Sequence, residues 1–247
     1  MKKAIAALAV FFCCVGALSA QPIDPAKEYE DCMAQAAKDP QGAFDRAVGW
    51  RGLGGGEAAE HCAGAALIGL GQFAEAGRRL ELLAANARQP AEAKAELLAQ
   101  AAEAWMMDNN AGQALKVLTK ALELDPSSPV IHVDRSFAWA ALGNYEEAKA
   151  DLDRAIGISP IRAEAWAYRA SARRMLNDRE GAMGDAERAL SLDPNFPEGL
   201  LERGILKRLK GDNAGARMDW LKLLQVAPDS EAAVEARANI EKMDVRQ

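Results

Sequence analysis

The sequence predicts an all-α protein made of stacked helix pairs, on three observations. Half of the 247 residues are hydrophobic but only 6% are aromatic, and alanine supplies much of the apolar share. Alanine is the strongest helix former. Valine and isoleucine are few and scattered, so no segment shows the alternation of a strand. The second observation is a set of prolines, Pro126, Pro160, Pro194 and Pro228, each 34 residues from the next. Proline cannot continue a helix, so each marks the end of one helix and the approach to another. The third is a turn-and-alanine series in the same register. Gly143, Asn177 and Gly211 hold one position, and Ala114, Ala148, Ala182 and Ala216 another.

A fixed step of this length signals a repeat architecture, in which each unit buries its apolar face only by stacking on its neighbours. The segment Leu142–Gly143–Asn144–Tyr145–Glu146–Glu147–Ala148, followed by Ala155 and Pro160, resembles the tetratricopeptide repeat family. Four repeats fit within 95–230, at about 95–128, 129–162, 163–196 and 197–230. A degenerate repeat covers 57–94, carried by Leu70–Gly71–Gln72–Phe73–Ala74–Glu75–Ala76. The resemblance implies a right-handed superhelical solenoid of antiparallel helix pairs. Small residues at Ala114, Ala148, Ala182 and Ala216 then let the two helices of a pair approach closely.

The ends are expected to differ from the middle. Residues 231–243 place Ala233, Ala236, Ile240 and Met243 on one face and charges opposite, the pattern of a closing helix with one wet side. Residues 25–56 read as a degenerate helix pair followed by a glycine-rich joint. One stripe there is Tyr29, Cys32, Met33 and Ala36, and a second is Phe44, Val48 and Trp50, with Asp39–Pro40 as the turn between them. Residues 1–20 have the layout of a cleaved signal peptide: Lys2 and Lys3, an apolar run from Ala4 to Val15, then small residues ending at Ala20. Cys13 and Cys14 raise a lipoprotein reading, but Phe11 and Phe12 are too bulky for that signal. A retained N-terminal anchor is the other alternative. The expected location is periplasmic or secreted, with no membrane span in the mature chain.

Cys32 and Cys62 are then the two remaining cysteines, and they read either as a disulfide or as two buried thiols. An oxidising compartment favours the disulfide, which would tie the weak leading pair to the array. The formal net charge is −6 and falls further once Lys2 and Lys3 are removed, which argues against nucleic acid as a partner. His61 and His132 are far apart in sequence and show no metal-ligand spacing. The run Gly52–Leu53–Gly54–Gly55–Gly56 lacks the Gly-Lys-Ser/Thr of a phosphate loop. No catalytic, metal-binding or cofactor-binding residue is assigned.

Two further series keep the 34-residue step: Arg135, Arg169 and Arg203, and Asp151, Asp185 and Asp219. They fall on the first and second helix of each pair, where arginine–carboxylate pairs can set register. Ligand binding by the same residues is the other reading.

The family resemblance places partners on a concave face lined by the first helix of each pair. The residues expected there are Glu103, Met106, Val133, Phe137, Tyr168, Ser171, Arg174, Leu201, Ile205 and Arg208. Arg174 and Arg208 read either as a small basic patch or as solvated helix ends. Family members that grip a peptide's terminal carboxylate use lysine and asparagine. Ala99, Glu103, Asp134 and Phe137 stand in those places here, which does not support that mode. The resulting expectation is an exported scaffold or adaptor for a protein or peptide, without catalysis. The alternatives are an accessory or catalytic subunit of an envelope enzyme complex, or a structural assembly subunit.

Overall fold

A computed structural model describes residues 23–244, so the signal-peptide reading of 1–20 lies outside the described residues. Among the described residues there are thirteen helices and no strand. They form consecutive pairs: α1 Pro25–Ala36 with α2 Pro40–Gly52, α3 Gly56–Gly69 with α4 Phe73–Asn86, and α5 Ala91–Met107 with α6 Ala111–Leu124. The array continues with α7 Pro129–Ala141 and α8 Tyr145–Ile158, then α9 Ala163–Met175 and α10 Arg179–Leu192. It ends with α11 Pro197–Leu209, α12 Asn213–Val226 and the single helix α13 Glu231–Asp244.

Local chemistry sets where the helices begin. The side chains of Asp24, Asp39, Asn110, Ser128, Asp178 and Asp212 accept hydrogen bonds from first-turn N–H groups. Those donors have no partner inside the helix, and each such cap contributes about 1 kcal/mol. Proline opens α1, α2, α7 and α11, at a position where its missing N–H costs nothing. The 17-residue α5 starts at Ala91, just after Pro90 and ahead of the boundary at 95 that the repeat spacing implies.

The turn inside each of the five pairs from α3–α4 to α11–α12 holds one residue with positive φ. Gly71, Asn109, Gly143, Asn177 and Gly211 supply it, with φ between 57° and 90°. Glycine and asparagine tolerate this region at least cost, which accounts for the alternation in the series.

Behind the turns, Ala76, Ala114, Ala148, Ala182 and Ala216 are completely or almost completely buried. The core is a series of apolar clusters along the stack, with Leu80, Leu118, Leu152, Leu200, Leu206 and Leu223 fully enclosed. Tryptophans pack on glycines along the stack, among them Trp105 against Gly77 and Trp220 against Gly204. A methyl group at Gly204 would stand 2.3 Å from the Trp220 indole nitrogen, so the absence of a side chain there is a packing requirement.

Cys32 on α1 and Cys62 on α3 are fully buried and joined as a disulfide, with Cα atoms 6.1 Å apart. This crosslinks the first helices of two adjacent pairs. In α2 the expected stripe is corrected. Val48 is exposed, and the buried line is Ala43, Ala47 and Trp50. That i, i+4, i+7 spacing defines one helix face, and Val48 lies about 100° from Ala47 around the axis. The glycine-rich run after α2 is a short turn in which Gly55 lies against the Trp50 ring.

Candidate functional site

Two rows of side chains follow the repeat along the first helices. One comprises Gln100, Asp134, Tyr168 and Glu202, and the other Glu96, Val130, Glu164 and Glu198. Between α5 and α7 these rows open into a slot of about 670 Å³, whose floor reaches Leu118 of α6. Glu103 and Met106 on α5 and Phe137 on α7 line it, as does Asp134. Phe137 and Val130 are partly open to solvent. The aromatic wall continues along the first helices. Phe137 meets the Tyr168 ring edge-on at 4.5 Å, and Tyr168 meets Phe196 at 6.4 Å. Ser171 and Tyr168 lie in a smaller recess between α7 and α9, and Ile205 is half-buried on α11.

Two of the expected groove residues are not on that surface. Val133 is 4% exposed and packs with Leu152, Ala155 and Ile156 of α8 and Ala165 of α9. Leu201 is 8% exposed and belongs to the cluster around Trp220 and α13. Each is one residue from a first-row position (Asp134 and Glu202), which turns it about 100° toward the second helices.

The basic patch is also corrected. Arg174 forms a bidentate pair with Glu202 on the next first helix, at 2.7 and 2.9 Å. Glu202 is 5% exposed, so the pair is a link between repeats rather than a free charge. Arg208 contacts Asn239 of α13 at 3.4 Å and, among the described residues, is the one member of that patch without a carboxylate partner.

The slot itself is acidic. Its charged residues are Glu96, Glu103 and Asp134, and it contains no lysine, arginine or histidine. No described base stands within ion-pair distance of these three carboxylates. Burial pushes the Asp134 carboxyl up to about 6, with Glu103 and Glu164 adding to the effect and Arg162 opposing it. Arg162 is itself engaged by Glu164, its Nε donating at 2.8 Å. The Tyr168 hydroxyl is raised as well, first by burial and then by Glu198, Glu164, Glu231 and Asp134.

The repeating arginines and aspartates meet inside each pair. Arg135 donates to Asp151 at 2.8 and 2.7 Å, Arg169 to Asp185 at 2.8 and 2.7 Å, and Arg203 to Asp219 at 2.9 and 2.6 Å. Each aspartate has a second basic neighbour within ion-pair distance: His132 at 3.0 Å, Arg173 at 3.0 Å and Lys207 at 2.8 Å, respectively. Burial alone would raise the carboxyls of Asp151 and Asp219. The hydrogen bonds from Arg135 and His132, and from Arg203 and Lys207, outweigh it and hold both below the usual range. Arg169 also bonds Asp153 on the preceding repeat and lies over the Trp166 ring at 4.7 Å.

At the N-terminal end, His61 links three first helices. Its Nδ1 is hydrogen-bonded to the Tyr29 hydroxyl at 2.7 Å and its Nε2 to the Gln100 side chain at 2.6 Å. Neither this hydrogen-bonded link nor the Arg174–Glu202 pair was read from sequence; the 34-residue step from Gln100 to Glu202 was the signal available for the second. Among the described residues, no group of His, Cys, Asp and Glu is placed to hold a metal ion, and no helix is long and apolar enough to cross a membrane.

Comparison with known proteins agrees with the repeat register. The tetratricopeptide repeat model matches residues 106–172. No curated protein matches the chain. Among solved structures, a thermophilic tetratricopeptide protein of Thermus thermophilus, TTC0263, is similar with a TM-score of 0.61 and 21% identity, over 74% of this chain and 98% of that one. MamA from Desulfovibrio magneticus RS-1 is similar with a TM-score of 0.58 and 19% identity, over 71% of this chain and 97% of that one. At these identities the likeness concerns the fold alone. The repeat register, the stack of helix pairs and the match over residues 106–172 together make the fold a tetratricopeptide-type solenoid.

Proposed function

We propose that this protein is an exported scaffold or adaptor that binds a protein or peptide partner along its first-helix groove and carries out no catalysis of its own. The observation that carries this reading is the open slot between α5 and α7, with Met106, Val130 and Phe137 as its apolar wall. Apolar side chains kept half in water beside a row of polar groups suit an extended segment or a partner helix. The repeating ion pairs are already satisfied by one another and serve the stack. Export rests on the signal-like residues 1–20, and a buried disulfide suits an oxidising compartment.

Quantitative affinity capture from an envelope extract tests the groove, comparing the unaltered protein with Phe137→Ala and with Glu123→Gln on the exposed face of α6. Specific partners should be depleted by Phe137→Ala alone. Identical recovery with all three proteins would rule out the slot as the docking surface. Sequencing the N-terminus of the protein from the envelope fraction tests export, with Gln21 as the expected first residue. An intact Met1 would overturn the cleaved-signal reading.

A further inference from the structure

We propose that the slot between α5 and α7 receives a lysine or arginine side chain of the partner segment, with its cationic end against Asp134 and Glu103 and its aliphatic stem along Met106, Val130 and Phe137. This rests on the groove reading above and specifies its occupant.

Three features of the slot converge on that chemistry. It is mainly apolar, yet all of its charged groups are carboxylates. Asp134 is half-buried on α7 and has neither a hydrogen-bond donor nor an ion-pair partner among the described residues. Its charged neighbours are Glu103 from α5 and Glu164 with Arg162 at the head of α9. Among the described residues, Arg162 is the one base whose charge acts on Asp134, but it is held by Glu164 and leaves Asp134 unpaired. A half-buried carboxylate facing other carboxylates is costly until a cation reaches it.

The walls determine which cation fits. A bare metal ion would need several ligands converging on one point, and the described residues offer no such cluster. A long side chain with a charged tip meets both needs, because its methylenes cover apolar surface while its end stays polar. An aromatic ring face favours a cation over an anion, and Phe137 supplies a ring to the slot wall. The raised Asp134 carboxyl is consistent with an anion waiting for a counter-charge.

The test is a titration of the isotope-labelled protein followed by amide NMR. It uses four acetylated, amidated octapeptides that alternate leucine with lysine, arginine, norleucine or glutamate. The expected result is saturable shifts in α5 and α7 with the lysine and arginine peptides, and affinity at least tenfold lower for norleucine. Asp134→Asn should remove that advantage, whereas Glu123→Gln should leave it intact. Lowering the pH from 7 to 5 protonates Asp134 and should weaken the lysine peptide several-fold without affecting the norleucine peptide. Norleucine binding as tightly as lysine, or glutamate binding more tightly, would overturn the cationic occupant while leaving a groove that binds peptide. Absence of shifts in α5 and α7 at millimolar lysine peptide would overturn the proposal outright. If Phe137→Ala still depleted partners in the capture experiment, the groove itself would stand.

Discussion

Asp134 and Asp151 belong to the same helix pair and have opposite electrostatic fates. Asp151, on α8, is 3% exposed and receives Arg135 through two hydrogen bonds and His132 through a third. Asp134 directly precedes Arg135 on α7, yet it faces the slot with only acidic neighbours and the occupied Arg162 nearby. Burial opposes ionisation in both. Dedicated donors overcome it for Asp151 and nothing overcomes it for Asp134, so one carboxyl is held down and the other pushed up to about 6. Burial alone therefore does not set the protonation of an acid in this fold; the presence or absence of a partner does.

The largest effect should come from breaking the satisfied side. Asp151→Ala leaves Arg135 and His132 without their acceptor, and we expect a loss of roughly 2–4 kcal/mol in urea unfolding. The loss falls short of that for a fully enclosed pair because the Arg135 side chain remains 21% exposed. An unchanged midpoint would mean that the pair does not hold the two helices together.

On the unsatisfied side the sign reverses. Asp134→Asn should stabilise the free protein at pH 7 by roughly 1–2 kcal/mol, a value discounted for partial solvent contact. Because the folded carboxyl titrates near 6 and the unfolded one near 4, the native state holds the extra proton between those values. Stability of the unaltered protein should thus include a term that grows as pH falls from 7 toward 4, and that term should be missing in Asp134→Asn. Asp151 acts oppositely: its stabilisation is present above the ordinary aspartate range and is lost as pH falls through its lowered value. Melts from pH 7 to 3 should separate the two windows. The smallest effect is expected for Glu123→Gln, where an exposed surface charge should shift stability by no more than about 0.5 kcal/mol.

The sequence made the stack legible because repetition exposes it. Pro126, Pro160, Pro194 and Pro228 mark the ends of second helices, and the alanine series marks where paired helices touch. The arginine and aspartate series could be seen as partners in the same way. Val133, Leu201 and Val48 were assigned to the wrong side of their helices. The repeat resemblance for Val133 and Leu201, and the helical stripe for Val48, fix a helix face only to within one residue, and a single residue rotates a side chain by about 100°. Arg174 looked free because its acceptor, Glu202, lies 28 residues away on a different first helix, outside any local pattern.

By itself, then, the sequence determined the architecture: helix starts through caps and prolines, turns through residues that accept positive φ, and register through a step of 34. These are local requirements of the backbone, repeated until they stand out. Only the tertiary structure decided which charges are spent and which remain available. Asp134 and Arg135 are adjacent in the chain, but the helix turns one into an open acidic slot and the other toward a waiting aspartate. Whether a carboxylate is satisfied depends on what the neighbouring helices bring within about 3 Å; the repeated spacing signals this for the arginine–aspartate pairs, but nothing along the chain marks Asp134 as lacking a partner.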